Sequence, residues 1–156
     1  MPGEALLIGI ATVAVVVAGF AAIAPGIAPD AGQWTVGHRI RLRAIVSTSF
    51  NVTFESLLPA VLFPAFNDER VTLVTASALV FAYLLVVIGV RFVQLRRAGA
   101  LRRRPAQFTV AAGVVATALF GLNALVFVSL TAYGLALLIQ LTVAAITFYS
   151  LLAGSS

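Results

Sequence analysis

Five runs of about 20 apolar residues, parted by short charged clusters, constrain this chain more than any motif in it. A helix needs about 20 such residues to cross some 30 Å of hydrocarbon. The runs fall at about 5–28, 44–66, 71–93, 108–130 and 134–153. Pro25-Gly26 and Pro29 close the first, and Arg43 precedes the second. Asn67-Asp68-Glu69-Arg70 separates the second from the third. Gln94-Leu95-Arg96-Arg97 ends the third, and Arg102-Arg103-Arg104-Pro105 opens the fourth. Residues 106–154 are too long for one span, and Ser129-Leu130-Thr131-Ala132-Tyr133-Gly134 holds the turn-like cluster that divides them. The chain therefore reads as all-α: one polytopic transmembrane bundle of five helices, residues 1–156 forming a single membrane domain.

Composition excludes the alternatives. Only 10% of the 156 residues are charged, too few to clothe a water-soluble surface. No cysteine is present, which removes disulfides and thiolate chemistry, and the single His38 cannot build a histidine metal cage. Met1-Pro2-Gly3-Glu4 lacks the basic start of a secretory signal, so the first run reads as a span. The net charge of +5 would suggest nucleic acid in a soluble protein. In a membrane protein the same excess is the cytoplasmic loop bias, and no nucleic-acid partner is expected. With no phosphate loop, no hydrolytic triad, no metal cluster and no cofactor motif, the chain does not read as an enzyme.

The charges also orient the bundle. With five alternating spans, Arg39, Arg41 and Arg43 share one side with Arg91, Arg96, Arg97, Arg102, Arg103 and Arg104. Glu4, Asp68 and Glu69 fall on the other side, with Arg70. The positive-inside rule then puts the N-terminus outside and the C-terminus in the cytoplasm, most simply across a prokaryotic plasma membrane. Residues 32–43 read as an interfacial stretch, with Trp34 in the headgroup layer and Arg39, Arg41 and Arg43 toward anionic lipid. The cluster from Arg96 to Arg104 determines topology. Leu58-Pro59-Ala60-Val61-Leu62-Phe63 resembles Leu122-Asn123-Ala124-Leu125-Val126-Phe127, either as a weak internal repeat of a kind that transporters use or, more simply, as a chance match in so apolar a composition.

Span two carries the polarity. Thr48, Asn51 and Glu55 recur at i, i+3 and i+7 and share one helix face. Glu55 lies 12 residues beyond Arg43, or about 18 Å along the axis, which is near the bilayer midplane. An acid there costs about 2.5–3.5 kcal/mol on insertion scales, so it must face protein or water. Two kinds of role follow. In the first, Thr48, Asn51 and Glu55 line a path for a monovalent or divalent cation or a proton in a small channel or transporter. Five helices with one acid enclose little, so that reading expects a homo-oligomer. In the second, Glu55 binds span two to a neighbour through Tyr83, Asn123 or Gln140, and the chain is a non-catalytic scaffold, assembly factor or subunit beside a membrane partner.

Pro59 sharpens the picture. It has no N–H to give the carbonyl four residues earlier, and that carbonyl belongs to Glu55. Pro64 kinks the same helix again. Asn123, Gln140 and Thr142 read chiefly as interhelical packing groups, with Gly113 and Gly121 allowing close approach. Phe81, Tyr83, Phe92, Phe148 and Tyr149 suit packing or the interfacial belts.

Overall fold

The computed structural model describes residues 3–27, 36–97 and 104–152. They form five helices: α1 (Glu4–Ile27), α2 (Val36–Phe66), α3 (Glu69–Arg97), α4 (Arg104–Leu122) and α5 (Leu130–Leu152), with a π turn over Asn123–Phe127 prolonging α4. All five are long and apolar enough to cross a membrane. The chain is a multi-pass helical membrane protein, and helices are what an apolar solvent permits, because they satisfy their backbone groups internally.

Two boundaries differ from those read in the sequence. The interfacial stretch is not a separate piece: from Val36 onward it is continuous with the second span. At 31 residues α2 is about 46 Å long, so its arginine-bearing first turns reach beyond a hydrocarbon core of about 30 Å. Arg39 and Arg43 are exposed there, Arg41 is half-buried, and Arg96 is exposed at the far end of α3. Arg97 and Arg104 fall at the ends of α3 and α4, while Trp34, Arg102 and Arg103 lie outside the described residues. The second difference is at the last hairpin, which turns on Val128-Ser129 alone. Thr131 to Gly134 already belong to α5, because Ser129 takes up the exposed helix start: its Oγ accepts from the Thr131 N–H at 3.2 Å.

The α2–α3 hairpin is equally tight. Asn67 adopts a left-handed φ of 50°, a conformation that asparagine tolerates at a helix end. Asp68 then caps α3, its Oδ1 accepting from the Val71 N–H at 3.0 Å.

α2 and α5 form the centre. α1 packs on both, α3 packs on α2, and α4 packs on α3 and α5. α1 turns Leu7, Ala11, Ala14, Ala18 and Ala21 inward at alternating spacings of four and three, and exposes Leu6, Val13, Val16 and Phe20. α2 buries Ile45, Ser49, Val52 and Ser56 at the same spacings. Stripes of small residues let two helix backbones approach closely, where van der Waals packing replaces the hydrophobic drive that lipid does not supply. The main core joins Leu7, Ile10 and Ala14 of α1 to Val52, Val80, Leu84, Phe120, Tyr133 and Leu137.

The two glycines of α4 are not equivalent. A Cβ on Gly121 would come within 2.9 Å of the Phe81 ring, whereas one on Gly113 would sit 3.5 Å from Ile88 Cδ1, an ordinary contact. Gly121→Ala should therefore lower stability by about 1–3 kcal/mol through overpacking, while Gly113→Ala is neutral or better. Thermal unfolding of the two variants in one detergent checks this: equal melting temperatures would show that α3 and α4 are not held in close contact at Gly121.

Candidate functional site

Glu55 lies between α2 and α5, with 1% of its surface exposed. Its carboxylate Oε2 accepts from Gln140 Nε2 at 2.6 Å. Its backbone carbonyl accepts from Tyr133 Oη, also at 2.6 Å. This is the carbonyl that Pro59 leaves without its helical N–H, so α5 supplies the donor that α2 lacks. Tyr133 is itself held. It is fully buried, and its ring meets Phe120 edge-on with centroids 5.0 Å apart at 78°. Such edge contacts fix ring orientation as well as adding packing energy.

The spacing of α5 explains the double grip. Tyr133 and Gln140 are seven residues apart, two helical turns, and project from one face. That face is buried along its length by Tyr133, Ala136, Leu137, Gln140, Leu141 and Ala144. Small and aliphatic residues between the two polar ones allow α5 to lie against α2, with Tyr133 and Gln140 reaching the same residue.

The Glu55 carboxylate is nevertheless incompletely partnered. Oε1 is buried with no hydrogen-bond partner among the described residues, and Ser49 Oγ shares that condition. Two other hydroxyls of α2 bond within their own helix: Ser56 Oγ donates to the Val52 carbonyl at 2.7 Å and Thr53 Oγ1 to the Ser49 carbonyl at 2.9 Å.

The remaining sequence candidates separate. Thr48 is half-buried. Asn51, also half-buried, accepts on Oδ1 from Tyr83 Oη at 3.0 Å, a pair on the outer face with Tyr83 46% exposed. Of the three partners suggested for Glu55, Gln140 is the one brought to it, and Tyr83 goes to Asn51. Asn123 goes elsewhere: its Nδ2 donates to Ser77 Oγ at 2.9 Å, and its Oδ1 accepts from the Ser129 N–H at 2.8 Å. Its backbone carbonyl accepts from Val128 N–H, closing the π turn. No group of three or more His, Cys, Asp or Glu side chains suited to a metal occurs among the described residues.

Tyr133 is the residue that sequence reasoning missed, because it was assigned to the turn. Pro59 carried the signal: a proline-freed carbonyl in hydrocarbon requires a donor from another helix, and tyrosine is among the few apolar-bodied side chains that supply one.

Removing that donor should therefore matter only while Pro59 is present. Tyr133→Phe is expected to cost about 0.5–1.5 kcal/mol, the usual net worth of one hydrogen bond. In a Pro59→Ala background the residue-59 N–H can bond the Glu55 carbonyl, and the cost of Tyr133→Phe should shrink. A double-mutant cycle by reversible unfolding measures the difference. Additive costs would mean that Tyr133 and Pro59 act independently.

No family model, no curated protein and no solved structure matches the chain.

Proposed function

We propose that this chain is a small integral membrane transport protein that binds a cation at Glu55, occluded in its core, and moves it across the bilayer. The supporting observation is the buried, unpartnered Oε1 of Glu55. A carboxylate oxygen removed from water without a donor costs more than the 1–3 kcal/mol of a neutral group, and packing alone gives no reason to keep it. Glutamine at position 55 would satisfy the same interface at lower cost. A bound cation or proton accounts for the acid.

Occlusion within one chain favours a carrier over a ring-shaped pore converging on α2. The charge distribution supports an N-terminus outside and a C-terminus in the cytoplasm of a prokaryotic plasma membrane. A competing reading, a non-catalytic subunit or assembly factor, draws on the Asn51–Tyr83 pair: polar groups on a lipid-facing surface offer a foothold to a second copy or a membrane partner.

Reconstitution decides between them. Liposomes holding the wild-type chain should pass protons or metal cations down a gradient, and Glu55→Gln should abolish the flux while keeping the fold. Equal flux in both, or none in either, overturns the transport reading. Orientation has a separate check, because the natural chain lacks cysteine. In intact cells, an impermeant thiol reagent should label Arg70→Cys and spare Arg96→Cys. Labelling of both, or of Arg96→Cys alone, contradicts the proposed topology.

A further inference from the structure

The neighbours of Glu55 narrow the class of ion. A dehydrated metal cation needs several oxygen ligands, six to eight for calcium and six for magnesium. Hydrogen bonding brings few oxygens to Glu55 among the described residues. Tyr133 Oη and the Gln140 amide are the groups hydrogen-bonded to it, and even with that amide turned to present its oxygen, they and the oxygens of Glu55 itself fall short of six ligands. Ser49 Oγ is the other buried oxygen without a partner, but it lies six residues earlier, about 9 Å along the helix axis. Six residues also turn the helix through about 600°, so the two side chains leave it on different faces.

The helices packed around Glu55 supply no countercharge. Between Leu7 and Ala21 α1 has no titratable side chain, and α4 has none from Phe108 to Leu122. α5 contributes Tyr133 and, four turns further on, the exposed Tyr149. α3 contributes Tyr83, turned to Asn51, with Glu69 and Arg70 at its start and Arg91, Arg96 and Arg97 in its last two turns. On α2 itself the nearest charges are Arg43 and Arg41, 12 and 14 residues away.

We infer that the ion taken up is the proton, held on the Glu55 carboxyl, and that Gln140 is the positioning residue that adapts to it by turning its amide from donor to acceptor. This rests on the reading of Glu55 as the carrying group. The exchange balances simply. As a carboxylate, Glu55 accepts Gln140 Nε2–H on Oε2. When a proton adds to Oε2, the Gln140 amide rotates through half a turn, and the new O–H donates to Gln140 Oε1. Oε1 of Glu55 then becomes a neutral carbonyl oxygen, for which burial without a donor is far less costly than for a carboxylate oxygen. The proton comes from hydronium at an aqueous face, the hydronium being left as water, and no other covalent bond forms or breaks. One proton is gained, and the orphaned oxygen loses its share of the charge.

Infrared spectroscopy of the full chain in lipid, titrated with acid and base, tests the inference. The wild type should show the carbonyl stretch of a protonated carboxyl group, lost in Glu55→Gln and retained but shifted in Glu55→Asp. Gln140→Leu should move the band toward the frequency of a carboxyl without a hydrogen bond. Tyr133→Phe, which removes a hydrogen bond to the Glu55 backbone carbonyl, should leave it in place. Absence of a Glu55-dependent band at every pH, or equal shifts from Gln140→Leu and Tyr133→Phe, would falsify the inference. Parallel flux assays separate it from the transport reading. Glu55-dependent sodium or potassium flux without proton flux overturns the proton and leaves transport standing, whereas a Glu55 band with no flux of any ion supports proton binding and overturns transport.

Discussion

Everything in this bundle depends on the scarcity of water inside the bilayer: a polar group on a helix within it must find its partner on the same helix or on a neighbour. α2 bears the heaviest polar load, and α5 answers it at one residue. Glu55 receives one donor on its backbone carbonyl and another on its side chain, both from α5. These two bonds fix the rotation and the register of α5 against α2, because Tyr133 and Gln140 must both reach the same residue. α1 then covers the seam with a ridge of alanines, and α3 and α4 close the other side. Apolar side chains alone would allow several nearly equivalent rotations of these helices, since lipid and leucine are almost the same solvent.

Much of the architecture was legible because hydropathy and length act almost alone in a membrane. Five spans, the pairing of Asn67-Asp68 as a turn and the isolation of Glu55 all follow from where charged residues fall. What eluded sequence reasoning was interhelical. A helical wheel places Thr48, Asn51 and Glu55 on one face but does not say which neighbour each meets, so Tyr83 and Asn123 were as plausible beside Glu55 as Gln140. The polar cluster Ser129–Gly134 imitates a loop, yet one serine hydroxyl caps α5 and the rest is helix. The alanines of α1 escaped notice for a different reason. They are as apolar as the valines beside them, and only their size marks the contact face.

Asn123 and Glu55 show how buried polar residues can be sorted. Asn123 spends its groups on structure. One amide hydrogen holds Ser77 on α3, its side-chain oxygen holds the start of α5, and its carbonyl closes the π turn. This bracket stabilises a hairpin whose Val128 sits at φ 43°, a left-handed conformation that a β-branched residue adopts only under constraint. An amide is sufficient for all of it. Glu55 differs in that a carboxylate is not the cheapest group for the bonds it makes, and one of its oxygens makes none. An acid where an amide would serve is the feature that supports a role for its charge or its proton.

That distinction bears on how a five-helix bundle could move an ion at all. Glu55 stands about 18 Å from Arg43 and about 17 Å from Phe66, close to equidistant from the two ends of the span. A closed bundle can reach both sides from there only if the contact between α2 and α5 opens. Its interhelical hydrogen bonds come from Tyr133 and Gln140, next to a carbonyl that the helix does not bond for itself. Pro59 makes α2 locally less stiff, and Tyr133 restores the missing bond from outside, so bending there breaks an interhelical bond rather than a helix. Protonation would neutralise Glu55 and reverse its hydrogen bond with Gln140, changing the strength of the same contact. Proton uptake as proposed would thereby couple charge state to helix packing at a single residue.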